Sequence, residues 1–359
     1  MKNLEIFFRH LLLSLLLLIK RKPNKLPLPK FNNDSKILFI RLNRIGDALV
    51  TTPLLTEIKR QIGCKVFVLA GSSNYFIFEN SKLTNEIIVY RKNVNGIFSL
   101  IRMINTIGFD AIVDLHDDVS STVSYLIAFN KSRYKFGLNK RNAKLFTHTV
   151  EKLDSSKYHV VDRVLEFGKF FNLDLESLPI NIVYNASNES CAKAEAFLNK
   201  HFEKKKFLLG INISAGSSAR FWGVGKFKKL ISELTGYNIN LLLLCTERDL
   251  KYAIEIAGSQ IPIFYRSVFD QFCAMIKELD LLFTPDTSIV HIAAAFNKPM
   301  FGLYVKYKTQ DVIWSPYRSP FECVITEEPT LENISFETVK EKFIPFFEKY
   351  YYGYKNQNM

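Results

Sequence analysis

Cysteine is scarce in this sequence, and the few cysteines present form no pattern. The 359 residues include five, at Cys64, Cys191, Cys245, Cys273 and Cys323, and none belongs to a C-x-x-C pair. An odd, scattered set argues against a disulfide framework and against a structural zinc site. We therefore expect a chain that works in a reducing compartment, with no metal site and no cofactor.

Several common motifs for nucleotides and metals are also missing. No G-x-G-x-x-G follows the first predicted strand of either half, which disfavours a nicotinamide dehydrogenase, and no Walker A sequence is present. There is no D-x-D, and the nearest approach, His116-Asp117-Asp118, is a weak metal motif. Positive side chains and helix ends, rather than a divalent ion, are therefore expected to meet an anionic ligand.

The sequence has no apolar run long enough for a typical membrane-spanning helix. Residues 11–19 are apolar apart from one serine, whereas a spanning helix needs about 20 residues. Lys20, Arg21 and Lys22 close the run, and no small-residue cleavage site follows it. We interpret residues 1–34 as an amphipathic, membrane-associating helix and a linker. A helix docked on the protein's own core is the alternative.

Acidic residues are outnumbered by basic ones. The chain has 48 Lys and Arg against 35 Asp and Glu, a formal net charge of +13. Such a surplus attracts anions, which suggests nucleic acid, an anionic membrane surface or a phosphorylated substrate. Nucleic acid is disfavoured because the basic residues form no concentrated stripe with interleaved aromatic residues. A coding bias towards Lys and Asn explains the charge equally well.

Apolar strands alternate with helical stretches twice along the chain, which predicts an α/β fold. Predicted strands lie at 36–42, 66–70, 87–90 and 111–115, and again at 207–213, 239–245, 281–284 and 300–304. Predicted helices lie at 47–60, 159–171, 225–234, 250–257, 269–278, 289–296 and 335–352. The expected organisation is therefore a domain at 35–185, a second at 186–334, and a C-terminal helical segment at 335–359.

A polar loop follows the first predicted strand and contains Asn43, Arg44, Gly46 and Asp47. A glycine after an apolar strand permits a tight turn into a helix. Asp47 would then lie at the helix start, where it is a candidate catalytic carboxylate. An ordinary N-cap is the competing interpretation of Asp47.

A loop of small residues follows the first strand of the second half. Ser214, Ala215 and Gly216 offer exposed backbone N–H groups that can cradle a phosphate. Arg220 adds a planar cation suited to a diphosphate. The alternative is a solvated loop that is anchored in the core by Trp222.

A third loop falls between a predicted strand and helix. It holds Asp286, Thr287 and Ser288, and His291 lies about one turn further on. Helix starts favour anionic groups, although His291 is equally interpretable as a buried structural histidine. Glu247, after another strand, is either a nucleoside contact or a surface helix cap.

These segments resemble glycosyltransferase family 9, which includes the ADP-heptose:lipopolysaccharide heptosyltransferases. IRLNRIGDALVTTPLL is similar to the family's opening, NISAGSSARFW to its small-residue loop and TPDTSIVHIAAA to its D-[ST]-G-x-x-H signature. HVVDR, at 159–163, is similar to the segment that ends the family's first domain. The resemblance spans residues 36–320 in the right order.

The resemblance implies a GT-B fold, in which two Rossmann-like domains face a central cleft and the second holds a nucleotide-sugar donor. It implies that Asp47 is the general base and that Asn43, Arg44 and Gly46 lie on the acceptor side. It further assigns donor contacts to the second-half loops, at Ser214, Ala215, Gly216, Arg220, Glu247, Asp286, Thr287, Ser288 and His291. The tail helix is expected to pack back across the domains.

The function implied is inverting, metal-independent transfer of a sugar, heptose by family default. The acceptor would be a lipopolysaccharide core or another lipid-linked glycan at the inner face of a bacterial inner membrane. The chain departs from the family pattern at Ser288, where a glycine is expected, at Arg220, where a lysine is expected, and at 305–309. A GT-B-fold nucleotide-sugar epimerase and a non-catalytic membrane-surface binding protein remain the alternatives.

Overall fold

The protein consists of two compact units, Met1–Val183 and Tyr184–Met359. The computed structural model describes residues 2–24, 26–79, 81–91, 96–176, 179–265 and 268–357, with side chains from residue 11 onward. The side chains of residues 1–10, which form part of the predicted membrane-associating helix, lie outside this description, as do residues 358 and 359 of the predicted tail.

The first unit is built on a parallel sheet of six strands in the order β3-β2-β1-β4-β5-β6. The central strand is almost wholly apolar, and its residues 37–40 are fully buried, as is typical of a parallel sheet covered on both faces. All four predicted strands of this half are present. The strands are β1 (Lys36–Arg41), β2 (Lys65–Gly71), β3 (Glu86–Tyr90), β4 (Ala111–Asp114), β5 (Tyr134–Leu138) and β6 (His148–Val150).

One helix precedes the first strand of this sheet, and others lie between or after the strands. They are α1 (Lys2–Ile19), α2 (Ile45–Leu49), α3 (Thr52–Gln61), α4 (Phe76–Glu79), α5 (Gly96–Ile107), α6 (Ser121–Phe129) and α7 (Val160–Leu165). The single helix predicted at 47–60 is wrong, because the chain breaks between α2 and α3. Pro53 explains the break, since it lacks an N–H and its ring clashes with the carbonyl of residue 49 in a continuous helix. The helix predicted at 159–171 is α7 followed by a 3-10 helix at Glu166–Phe171.

Helix α1 docks on the first unit through one face. Leu13, Leu16 and Leu17 are buried in a cluster that includes Leu126 and Ile127 of α6. The other apolar side chains of the same segment are exposed, namely Leu11, Leu12, Leu15, Leu18 and Ile19. One face of the helix therefore docks on the protein's own core, which was the alternative to membrane association. Within the described part of the chain, no helix combines the length and apolar character needed to cross a bilayer.

The second unit repeats the design with a parallel sheet in the order β12-β11-β10-β7-β8-β9. The strands are β7 (Phe207–Asn212), β8 (Ile239–Cys245), β9 (Ile263–Tyr265), β10 (Leu281–Pro285), β11 (Met300–Val305) and β12 (Phe321–Thr326). The helices are α8 (Asn188–His201), α9 (Val224–Glu233), α10 (Leu250–Ala257), α11 (Phe269–Glu278), α12 (Ile289–Ala295) and α13 (Phe336–Gln357). The four strands and the helices predicted for this half are all present, within a few residues of the predicted bounds.

The C-terminal helix α13 belongs to the core of the second unit. Its buried residues Phe343, Phe347 and Tyr351 pack with Phe283 and Phe301 of the sheet. Burial of aromatic side chains of this size is a large stabilising contribution, because each removes about 150–250 Å² from water. The helix therefore packs against, and stabilises, the sheet of the second unit.

Candidate functional site

The loop after β1 positions Asp47 through an ion pair with the last residue of that strand. A guanidinium nitrogen of Arg41 lies 3.1 Å from the Asp47 Oδ1 atom. Arg41 is only 1% exposed, whereas the Asp47 side chain is 16% exposed. Arg44, not Asp47, is the N-cap of α2, so the N-cap interpretation of Asp47 is wrong. Asp47 lies in the first turn and presents a fixed, accessible carboxylate.

The main chain of Asp47 is fixed as firmly as its side chain. Arg41 Nε donates a hydrogen bond to the Asp47 carbonyl at 3.0 Å, and Thr51 Oγ1 donates to the same carbonyl at 2.9 Å. Another guanidinium nitrogen of Arg41 donates to the carbonyl of Leu115, next to β4. Arg41 therefore ties α2 to two strands. No hydrogen bond to Asp47 Oδ2 is found among the described residues, which leaves that oxygen available to a substrate.

A buried asparagine shapes the turn that leads to Asp47. Asn74 Nδ2 donates to the carbonyls of Arg41 and Asn43, at 3.0 and 2.9 Å, and its Oδ1 accepts from the N–H of Gly71. The prediction that Gly46 makes the turn is wrong, because Gly46 is the second residue of α2 and has no positive φ. Asn43 and Arg44, in the same turn, are exposed, and their acceptor-side role stays a prediction.

A histidine network holds the end of β4 against the same loop. His116 Nε2 accepts from the Leu42 N–H at 3.1 Å, so the ring proton is on Nδ1, which donates to Asp114 Oδ1 at 2.8 Å. Lys140 Nζ lies 3.1 Å from the other Asp114 oxygen. Burial raises the pKa of Asp114, but the His116 hydrogen bond and the charge of Lys140 outweigh it and lower this pKa overall. The network braces the loop.

The carboxylates of the weak metal motif have cationic partners instead. Asp117 lies 2.8 Å from a guanidinium nitrogen of the buried Arg163, and Asp118 lies 3.7 Å from Lys152 Nζ. Nowhere in the described ranges do three or more His, Cys, Asp or Glu side chains form a group that could hold a metal ion.

In the second unit, the small-residue loop after β7 is stiffened from beneath. Ser214 is buried, and its Oγ donates to Asp249 at 2.6 Å and accepts from the Thr246 N–H at 2.9 Å. Ala215 is half-buried, and its carbonyl accepts from Arg248 at 2.5 Å. Asp249 and Arg248 are residues that the sequence analysis missed. The Ser214 side chain therefore acts in this structure as a brace for the loop.

Gly216 lies at the open crest of the loop. Nothing comes within 4 Å of where its Cβ would be, and its φ is not positive. The glycine is thus not required by the backbone conformation or by a neighbouring protein group. The free space beside it leaves room for a ligand to approach the main chain. Trp222, which follows the loop, is fully buried and donates from Nε1 to the Ile334 carbonyl at 3.0 Å, as its predicted anchoring role requires.

The structure brings two predicted donor residues together. A guanidinium nitrogen of Arg220 lies 3.0 Å from Asp286 Oδ2, and another donates to the Asp286 carbonyl at 3.2 Å. Burial raises the pKa of Asp286 and the charge of Arg220 lowers it, with burial dominant. The cation expected to meet a diphosphate is therefore paired with a carboxylate of the neighbouring loop.

The remaining predicted donor residues lie around these two loops. Thr287 and Ser288 are half-buried, and Ser288 is the N-cap of α12, which begins at the predicted residue 289. His291 is 2% exposed, and its ring centroid lies 5.9 Å from that of Trp314. Glu247 is exposed in a short 3-10 helix whose N-cap is Thr246, so its interpretation as a cap is wrong.

Comparison with known proteins decides the family. A model of glycosyltransferase family 9 (heptosyltransferase) matches residues 97–344. The chain belongs to glycosyltransferase family 9. It is therefore a glycosyltransferase, and the predicted membership is confirmed. The matched range contains both loops of the second unit but not Asp47, whose role stays a prediction.

Individual relatives of this family 9 chain agree with the match. Lipopolysaccharide heptosyltransferase 3 of Escherichia coli is 24% identical over 293 residues, which cover 76% of this chain and 83% of that protein. The family 9 crystal structure from Veillonella parvula matches with a TM-score of 0.77 at 16% identity, covering 89% and 99%. E. coli heptosyltransferase WaaC with ADP matches with a TM-score of 0.69 at 16% identity, covering 88% and 98%. The predicted α/β fold of the GT-B class is confirmed.

Proposed function

We propose that this family 9 enzyme transfers a sugar from a nucleotide-diphosphate donor to a lipid-linked glycan, with inversion at the anomeric carbon. The donor sugar is heptose and the acceptor is a lipopolysaccharide core. The observation that carries the proposal is the family match across residues 97–344, which contains the loops at Gly216 and Asp286. The names of the relatives support this donor and acceptor, because lipopolysaccharide heptosyltransferase 3 acts on lipopolysaccharide and the WaaC structure contains ADP.

Asp47 is proposed as the general base. Its Oδ1 is held 3.1 Å from Arg41, while Oδ2 can accept the proton of an acceptor hydroxyl. The deprotonating oxygen then attacks the anomeric carbon from the face opposite the nucleotide, which inverts its configuration. General-base assistance of this kind contributes about 10²–10⁴-fold. Asn43 and Arg44, exposed beside the carboxylate, are proposed to contact the acceptor.

The leaving diphosphate is proposed to bind at the loops of the second unit. Backbone N–H groups near Gly216 approach the phosphates, and Arg220 supplies the positive charge. Thr287, Ser288 and His291 shape the ribose side, and Glu247 contacts the nucleoside. Fixed donors aimed at developing charge are usually the largest electrostatic contribution to such a step. We propose that transfer needs no metal ion, so EDTA is expected to leave the rate unchanged, whereas loss of activity that Mg²⁺ restores would contradict this.

The acceptor is proposed to be reached from an anionic membrane surface at the inner face of the inner membrane. Helix α6 contacts both α1 and α5, and all three expose apolar side chains. Among them are Leu18 and Ile19 of α1, Phe98 of α5 and Phe129 of α6, exposed by 77%, 79%, 75% and 47%. Basic residues accompany this apolar face, including exposed Arg21, Lys22, Arg102 and Lys131. An apolar face edged by cations suits anionic lipid headgroups.

Vesicle flotation tests the membrane proposal. Wild-type protein is expected to float with phosphatidylcholine vesicles only when phosphatidylglycerol is included, and less so as salt is raised. Leu18→Glu combined with Ile19→Glu is expected to abolish flotation. Ile254→Glu, at a 57% exposed position on α10, is the control and is expected to float like the wild type. Equal flotation of all three proteins would contradict the proposal.

A single assay separates transfer from its alternatives. Release of ADP from ADP-heptose is measured with and without a heptose-deficient lipopolysaccharide acceptor. A transferase is expected to release ADP only when the acceptor is present. Conversion of the donor without an acceptor would instead indicate an epimerase, and an unchanged donor in both conditions would indicate a binding protein or a different donor. The last case is resolved by thermal-shift screening of other nucleotide sugars, because a tight ligand raises apparent stability.

A further inference from the structure

Tyr304 is a buried hydroxyl that the proposed reaction does not use. It lies on β11, is 1% exposed, and its Oη has no hydrogen-bond partner among the described residues. Buried hydroxyls nearly always have a partner, so an unsatisfied one requires an explanation. The tyrosine lies beside the loop that carries Asp286, which gives it a possible partner in another state of the protein.

The register of the sheet places Tyr304 and Asp286 side by side. β10 and β11 are parallel, with Pro285 opposite Leu303, and the Asp286 N–H donates to the Leu303 carbonyl at 2.8 Å. Tyr304 follows Leu303 on β11, and Asp286 follows Pro285 just beyond the end of β10, so the register brings their main chains close together. Gly302 makes room for the phenol, because a Cβ there would come within 2.4 Å of the Tyr304 ring.

In this structure Asp286 is paired with Arg220 instead, through an oxygen 3.0 Å from the guanidinium. A diphosphate that binds Arg220 brings further negative charge next to that carboxylate. The two anions then compete for one cation, and a carboxylate left without a donor in this half-buried position is costly. A neighbouring hydroxyl would relieve that cost.

We propose that Asp286 exchanges Arg220 for the hydroxyl of Tyr304 when a diphosphate binds. The proposal rests on the donor site proposed above. In the exchanged state, Tyr304 Oη–H donates to an Asp286 oxygen, and the guanidinium of Arg220 turns to the phosphate oxygens. Burial, and to a lesser extent the Asp286 charge, raises the pKa of Tyr304 well above its ordinary value, so the phenol keeps the proton that it must donate. Tyr304 is thus a positioning residue for the donor loop.

Calorimetric titration with ADP tests the exchange. Tyr304→Phe removes only the hydroxyl and is expected to weaken ADP binding about tenfold, the value of one hydrogen bond to a charged group. The melting midpoint of the unliganded variant is expected to equal or exceed that of the wild type, because the hydroxyl is buried without a partner there. Tyr352→Phe, at a 51% exposed position, is the matched control and is expected to change neither quantity.

The same substitution in an Asp286→Asn background separates exchange from a structural role. In that background there is no ion pair to exchange, so adding Tyr304→Phe is expected to change ADP affinity less than about twofold. Two residues that act through each other show this non-additive behaviour. Wild-type affinity in Tyr304→Phe would overturn the proposal. A tenfold loss that persists in the Asp286→Asn background, with a lowered melting midpoint, would also overturn it and assign a structural role. If the wild type binds none of ADP, UDP, GDP or CDP, the donor site itself is contradicted.

Discussion

Arg41 and Asp47 form an ion pair in which the cation is buried and the carboxylate is not. The guanidinium, 1% exposed, lies 3.1 Å from Oδ1 of a side chain that is 16% exposed. A buried charge is retained only when partners surround it, and Arg41 also donates to the carbonyls of Asp47 and Leu115. This asymmetry fits a cation whose role is to fix the position of a reactive carboxylate.

Removal of Arg41 is expected to cost stability because Asp47 Oδ1 and the Leu115 carbonyl lose the donor that Arg41 supplies, and the Asp47 carbonyl keeps only Thr51. Arg41→Met is expected to lower the free energy of unfolding by about 3 kcal/mol, as measured by urea denaturation. Lys193→Met is the control, because Lys193 pairs with Glu189 at 2.5 Å but the two side chains are 47% and 77% exposed. The control is expected to change stability far less. Similar losses of unfolding free energy in both variants would show that burial of the Arg41 network adds nothing to its contribution to stability.

Gly216 allows a test of the proposed phosphate loop. Gly216→Ala adds a methyl group into the open space at the loop crest, so the fold is expected to be unchanged while ADP binding weakens about tenfold. Gly225→Ala, on α9, also meets nothing within 4 Å and is the control. It is expected to leave binding intact and to raise stability slightly, as alanine does in a helix. Unchanged ADP affinity in Gly216→Ala would place the phosphates elsewhere.

Asp249 is expected to matter for donor binding without contacting the donor. It accepts hydrogen bonds from Ser214 at 2.6 Å and from Arg248 at 3.1 Å, and thereby stiffens the loop. Asp249→Leu is expected to weaken ADP binding at least about tenfold and to lower the melting midpoint. Glu255→Leu, at an exposed position on α10, is the control and is expected to leave ADP affinity unchanged. Normal ADP binding by Asp249→Leu would show that the loop holds its shape without this brace.

Lys135, on β5, contributes a pH-dependent term to stability. Burial, and less strongly the charge of Lys20, lowers the pKa of Lys135 to about 8. The unfolded lysine titrates near about 10.4, so the unfolded chain binds more protons between these values and stability rises with pH across that window. Lys135→Met removes this rise. Its stability relative to wild type is therefore expected to be greatest at pH 7 and to shrink towards pH 10.

Urea denaturation at pH 7, 8, 9 and 10 checks the Lys135 prediction. Lys65→Met, whose side chain is 46% exposed, is the control, and its difference from wild type is expected to stay constant with pH. A pH-independent difference for Lys135→Met would contradict the assignment of the titration to this lysine.

The sequence was sufficient to predict the alternation of strands and helices, because buried parallel strands are continuous apolar runs. β8, α10 and α11 lie at the predicted bounds. β5 and β6 could not be predicted in this way, since YKFGL and HTV are short and mixed in polarity. The proline at position 53 alone could have predicted the break between α2 and α3, but the break was not predicted.

The site was predicted less completely than the fold. The sequence was enough to single out the residues of the loops themselves, because they follow predicted strands and are either charged or very small. The residues beneath the loops, Asn74, Asp249 and Tyr304, come from distant parts of the chain and were missed. Only Arg41 gave a local signal, as a charge that directly follows the buried apolar run 37–40 of β1. Such a charge needs a partner, and Asp47 is six residues away.

The most direct test of the account measures transfer and donor binding together in Asp47→Asn. The amide cannot take a proton from the acceptor, but it can still accept a hydrogen bond from Arg41. We predict that transfer from ADP-heptose falls by about 10²–10⁴-fold while ADP affinity stays within about twofold of wild type. Transfer at the wild-type rate in a protein that still binds the donor would contradict the assignment of Asp47 as the base.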